Sequence, residues 1–180
     1  MDIIAHGLWS GVGVSLLQRR WALSRRTVVL TVAMAVLPDL LQLAPMVGWA
    51  LFSKEGVAAL GGYVQALPSA NSALPPVVER LVFHLHCAMH SAVVAGAATL
   101  LLWAAMRSFW IPLLGWWLHI VIDVFTHSAE FYPSPVLYPI TLRGFDGVAW
   151  NTPWFMVVNY VALACAGTWL VWSRRKRKTL

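Results

Sequence analysis

The chain has 180 residues, 59% hydrophobic and only 11% charged, with 11 Trp and a formal net charge of +6. A soluble domain carries about a quarter of its residues as Asp, Glu, Lys or Arg, so this composition excludes a disordered segment, a coiled coil and an ordinary soluble enzyme. It indicates a single integral membrane domain spanning 1–180. The basic residues sit in short clusters beside apolar runs, which reads as a set of topology determinants and not as a nucleic-acid surface.

Five apolar runs are candidates for crossing about 30 Å of hydrocarbon: Ile3 to Gln18, Thr27 to Phe52, Leu81 to Met106, Phe109 to Thr126 and Thr152 to Trp172. The opening Met-Asp-Ile-Ile-Ala-His has no basic n-region, so the first run is expected to stay in the membrane. It carries Gly7, Gly11 and Ser15 at four-residue spacing, a stripe of small residues that lets another helix approach closely. Pro38 and Pro45 interrupt the second run, which predicts a kinked helix or two half-helices. Between Ser53 and Pro76 a loop with Gly61-Gly62 and Pro75-Pro76 is expected, with room for a short interfacial helix. The fold class that follows is all-α, a polytopic bundle of about five transmembrane helices.

Lys and Arg in the connections set the orientation. Arg19, Arg20, Arg25, Arg26, Arg107, Arg174, Arg175, Lys176, Arg177 and Lys178 fall on one side of the five-span arrangement, and Lys54, Arg80 and Arg143 on the other, ten against three. The side with the C-terminus is therefore expected to be cytoplasmic, and the loop from His127 to Asn151 outside. Trp49, Trp150 and Trp154 fall near the outer interface.

All six histidines, His6, His84, His86, His90, His119 and His127, lie in or at the ends of these runs, together with Asp39 and Asp123. Ionisable groups within a membrane are costly and normally mark a functional site in the bundle interior. In His-Ile-Val-Ile-Asp-Val-Phe-Thr-His, His119, Asp123 and His127 recur every fourth residue, so on a helix all three share one face. His86 and His90 repeat that spacing; His84 points away from His90 by about 240° and is expected to be a second-shell or alternative ligand. In the five-span topology all of these reach the outer leaflet, and a kink at Pro38 turns Asp39 toward them. Imidazole with carboxylate suits Zn, Cu, Fe or Ni. The expected metal ligands are His86, His90, His119, Asp123 and His127, with Asp39 and His6 completing a second site or serving as bridging ligand and catalytic base. Each histidine taken singly is also readable as a hydrogen-bonded packing residue.

Other residues carry less. Cys87 and Cys165 lie in apolar runs without a Cys-x-x-Cys; Cys87 reads as a packing residue, with a soft-ligand role as the alternative. Ser91 and Ser128 each follow a His, but neighbours on a helix diverge by about 100°, so neither is a nucleophile beside its base. Arg80 and Arg143 read as interface anchors or, alternatively, as phosphate clamps. Glu130, Asp146 and Asn151 cap the cavity or are solvated, and the terminal Arg-Arg-Lys-Arg-Lys favours anionic lipid.

The chain resembles a bacterial inner-membrane family of membrane-bound metal-dependent hydrolases, also called LexA-binding or YdjM-like. The matching features are Met-Asp-x-x-x-His-Gly at the N-terminus, Leu37-Pro38-Asp39, His90-Ser91, and His-x-x-x-Asp-x-x-x-His from His119 to His127 before a Pro-rich loop. Family members often read His-Arg-Gly-x-x-His-Ser where this chain reads His-Leu-His-Cys-Ala-Met-His-Ser, so the Arg is missing and the equivalent ligand is either His84 or His86. The resemblance implies a metal-dependent hydrolase of the inner membrane. The order of His and Asp is also similar to that of zinc-dependent phospholipase C, an analogy of ligand order.

The expected function is hydrolysis of a lipid or lipid-linked phosphoester at the outer leaflet, with one or two divalent ions, zinc foremost. The competing reading is a non-hydrolytic His-rich bundle that binds haem, for example between His90 and His119, or transports metal ions.

Overall fold

The computed structural model describes residues 1–56, 58, 60 and 74–178. Among the described residues six helices and no strand are found: α1 (Ile3–Leu17), α2 (Arg25–Phe52), α3 (Pro76–Met89), α4 (Ala92–Met106), α5 (Leu113–Thr126) and α6 (Pro153–Lys178). Asp2 starts α1 by accepting the Ala5 N–H at 2.9 Å, and Ser24 starts α2 by accepting that of Thr27 at 3.1 Å; each side-chain oxygen satisfies an amide that has no partner within its own helix. The interfacial helix expected between Ser53 and Pro76 falls largely outside the described residues.

Fewer helices qualify as spans than the five expected. Two are long and apolar enough, α2 and α6, and α3 with α4 makes a third if that bent pair is one span. Helices α1 and α5 have 15 and 14 residues, about 22 and 21 Å at the helical rise, short of a 30 Å hydrocarbon layer.

For α2 the alternative of two half-helices drops out, and the expectation for the run from Leu81 to Met106 is revised. Helix α2 runs for 28 residues through both Pro38 and Pro45 without dividing. The run from Leu81 to Met106, expected as one helix, turns by 64° between α3 and α4. At the turn His90 ends α3, and the Ser91 hydroxyl caps α4 by accepting the N–H groups of Val93 and Val94 at 3.1 and 3.2 Å. A distant loop completes the break: Ala92 N–H donates to the Val136 carbonyl at 2.8 Å, and the Ser91 hydroxyl donates to that of Tyr138. Backbone groups freed by the bend thus find partners inside the protein, the condition for broken helices in an apolar medium.

Helix α2 is the centre of the bundle, with α1, α3 and α5 packed on it; α6 packs on α1, and α4 on α5. The closest approach is at Gly115, where a Cβ would lie 1.9 Å from the Thr31 carbonyl oxygen and 2.9 Å from Ala35 N. Only glycine permits α5 to lie so close to α2. On α1 the small-residue stripe divides in role: a Cβ on Gly7 would meet Val36 of α2 at 3.3 Å, whereas Gly11 has nothing within 4 Å. Gly11 instead lines an apolar groove of about 400 Å³ with Val12, Ser15, Gly167 and Leu170.

Among the described residues apolar packing falls into three small clusters, around Trp116 and Ile120, around Met1, Ala5 and Leu163, and around Met46 and Val82. Large side chains such as Leu51, Phe52, Leu100, Leu101 and Val157 face outward, while His6, Asp39, His90, His119 and Asp123 are buried. Polar inside and apolar outside is the arrangement expected of a helical bundle in lipid. The α1–α2 connection and the C-terminal part of α6 meet, with Arg19 bonded to Ser173 and its guanidinium 4.3 Å from the Trp169 ring centroid.

Candidate metal centre

The α2–α5 contact sets the first ligand. One turn beyond Gly115, His119 reaches back to α2 and donates from Nδ1 to the Ala35 carbonyl at 2.8 Å. That hydrogen bond fixes the tautomer and leaves Nε2 with a lone pair. His90, at the break between α3 and α4, does the same: its Nδ1 donates to the His86 carbonyl at 2.8 Å. The two Nε2 atoms then face each other 3.0 Å apart.

Two carboxylates complete the group. Asp123, one turn along α5 from His119, places Oδ2 at 3.1 Å from both Nε2 atoms. Asp39, one residue after Pro38 in α2, brings Oδ1 to 3.6 Å from His90 Nε2 and 3.8 Å from His119 Nε2. One ligand atom from each of Asp39, His90, His119 and Asp123 lies within 4.8 Å of all the others, and all four residues are buried. Despite those short separations, Asp123 Oδ2 and Asp39 Oδ2 have no hydrogen-bond partner among the described residues. Four possible ligand atoms therefore converge, and neither Oδ2 receives a hydrogen bond among the described residues. Leaving a buried carboxylate oxygen unsatisfied is costly as a rule, and a divalent cation would offset that cost; the other oxygen of Asp123 accepts from the Met1 ammonium and from Thr126. The donor set, two imidazoles and two carboxylates, fits a zinc-type ion.

The remaining histidines take different places. His6, on α1, lies with Nε2 at 2.9 Å from Asp123 Oδ1 and stacks on His119, ring centroids 3.8 Å apart. His127 is not on the α5 helix, which ends at Thr126; its backbone is extended, and its Nε2 stands 3.6 Å from Asp123 Oδ1. The loop from Asp146 to Trp150 folds over this end of α5, where N–H groups of Gly147, Val148 and Trp150 donate to the carbonyls of His127, Phe125 and Thr126. These bonds satisfy the orphan carbonyls of a helix terminus. Gly147 is required there, since a Cβ would lie 2.4 Å from the Phe125 carbonyl oxygen.

His86, expected as a ligand, has both ring nitrogens engaged elsewhere: Nδ1 is 2.7 Å from Gln42 Oε1 and Nε2 is 3.3 Å from the Pro133 carbonyl. Its ring lies 4.2 Å from that of His90, so it flanks the four-residue group. His84 is exposed, with the Tyr138 hydroxyl at 3.4 Å and the Phe83 ring 5.5 Å away, and lies outside the four-residue group. Cys87 is buried in α3, and Arg80 and Arg143 are exposed. Asp146 accepts the Ala129 N–H at 2.8 Å, bracing the loop.

Gln42 and the Met1 amine were not singled out from the sequence. Gln42 lies three residues after Asp39 on α2, a spacing that shares a helical face and is legible in retrospect. Asp2 also matters, accepting from the Tyr160 hydroxyl at 3.0 Å and so tying the start of α1 to α6. Comparison with protein families, with curated proteins and with solved structures found no match to this chain.

Proposed function

We propose that the protein is a membrane-embedded metal-dependent hydrolase that holds a divalent cation, zinc by preference, on Asp39, His90, His119 and Asp123. The observation that carries this reading is the convergence of those four donors within 4.8 Å, with both Nδ1 atoms tied to carbonyls and both Oδ2 atoms without a hydrogen-bond donor among the described residues. A cation held there with one position left open to water would lower the pKa of that water to about 7 and polarise an ester or phosphoryl oxygen. Asp39 is the proposed base: its Oδ2 has no partner, and its Oδ1 is farther from the Nε2 atoms than is Asp123 Oδ2.

The proposed substrate is a lipid or lipid-linked phosphoester, because the group is enclosed by helices whose outward faces are apolar. The orientation we propose puts the Arg-rich C-terminus in the cytoplasm of a bacterial inner membrane, following the distribution of Lys and Arg. The resemblance to the membrane-bound metal-dependent hydrolases supports the same reading. A haem between His90 and His119 is disfavoured, since a macrocycle must pass between axial nitrogens that here stand 3.0 Å apart.

The test is hydrolysis of a phospholipid and of a soluble phosphodiester by the detergent-purified chain, stripped with chelator and then supplied with zinc. Zinc-dependent release of product that disappears in Asp39→Asn supports the proposal. A protein that takes up zinc and hydrolyses neither substrate class counts against it.

A further inference from the structure

The geometry points to a second cation subsite on the opposite oxygen of Asp123, formed by Asp123 Oδ1, His6 Nε2 and His127 Nε2, so that Asp123 bridges two ions. The inference rests on the reading of the first site as a metal site, and it adds a second ion with its own ligands.

Asp123 has no exposed surface, and its two oxygens face different company. Oδ2 faces His90 and His119. Oδ1 faces His6 at 2.9 Å and His127 at 3.6 Å. His127 Nδ1 donates to the Tyr132 carbonyl, so its Nε2 carries a lone pair toward Oδ1, as in the first site. His6 is buried, and its Nδ1 has no hydrogen-bond partner among the described residues, so the ring proton that Nε2 shares with Asp123 Oδ1 can move to Nδ1 and free Nε2 for an ion.

A cation already lies among these groups. The Met1 ammonium contacts Asp123 Oδ1 and stands 3.1 Å from His127 Nε2, with its side chain packed against Ala5 and Leu163. It marks the position at which this pocket accepts positive charge. A divalent ion there would displace the ammonium, take over its two partners Asp123 and His127 and add His6; these three side chains suffice without the amine. A carboxylate shared by its two oxygens holds ions about 3.5–4 Å apart, the spacing at which one ion activates water and the other stabilises the leaving oxygen of a phosphoester. The stacking of His6 on His119 brings the two ligand sets into contact and makes their loading interdependent.

The experiment uses the full chain in detergent, stripped with chelator and titrated with Mn2+, followed by elemental analysis and electron paramagnetic resonance. Two ions per chain with an exchange-coupled multiline spectrum are expected. His127→Ala and His6→Ala should each drop to one ion and lose the coupled signal while keeping the isolated Mn2+ signal. His127→Gln, closer in volume, serves if an alanine variant does not fold. One ion per chain in the unaltered protein, with hydrolysis intact, overturns the second subsite and leaves the hydrolase reading standing. No bound ion overturns both.

Discussion

Helices α5 and α6 invert the usual relation between length and importance. Helix α6, with 26 residues, is among the best candidates for crossing a membrane, yet its buried residues Asn159, Leu163 and Leu170 serve packing. Helix α5, with 14 residues, is too short to cross alone and buries Gly115, Trp116, His119, Ile120 and Asp123. In an apolar medium a long apolar helix is stable against lipid on nearly every side. A short one carrying His and Asp persists only where neighbours satisfy its polar groups, and those neighbours are what build a site.

The contrast is sharpest at single carboxamide and carboxylate positions. Asp123→Asn keeps the volume of the side chain but removes the charge that faces four imidazoles, and metal uptake measured by elemental analysis should fall to background. Asn159→Ala on α6 removes the acceptor of the Trp9 indole N–H, at 2.9 Å. It should cost about 1 kcal/mol in unfolding titrations and leave metal content unchanged. Equal metal content in both variants would break the distinction between the helices.

Glycine substitutions come next. Gly115→Ala drives a methyl into the Thr31 carbonyl, where the built Cβ stands 1.9 Å away; it should destabilise by at least the ~1–3 kcal/mol of ordinary overpacking and move His119 off the Ala35 carbonyl. Gly167→Ala on α6, with nothing within 4 Å, should be neutral within about 0.5 kcal/mol. Denaturation in detergent, with metal affinity of each variant, reads both.

Much of the site was legible in the sequence because its spacing is local. His119 and Asp123 fall one turn apart on a helix whose outer faces are apolar, so the pair stands out without any tertiary information. Asp39 was legible by energy: a carboxylate in an apolar run needs a cation, and no Lys or Arg lies nearby. The fold was less so. The break at His90-Ser91 rests on carbonyls of Val136 and Tyr138, forty-odd residues on, and no hydropathy window reports such partners. The same applies to His86, whose i+4 relation to His90 suggested a shared ligand role, but whose nitrogens are taken by Gln42 and the Pro133 carbonyl.

That difference between His86 and His119 yields a smaller prediction. His119→Ala should lower zinc affinity by more than the about 10–100-fold that an outer partner commands, and His86→Gln should stay within that range. A Gln42→Leu change, which removes the partner 2.7 Å from His86 Nδ1, should have an effect no larger than that of His86→Gln. Competition with a chromophoric chelator ranks all three, and a His86 variant as weak as the His119 variant would restore His86 to the ligand set.

The central claim is that Asp39, His90, His119 and Asp123 surround one cation. Crystals of the zinc-loaded protein, with diffraction recorded on both sides of the zinc absorption edge, locate the ion directly. The account predicts an anomalous peak about 2.0–2.2 Å from Nε2 of His90, Nε2 of His119 and carboxylate oxygens of Asp39 and Asp123. Zinc found only at exposed residues such as His84, with the four buried groups making no contact to it, would contradict the account.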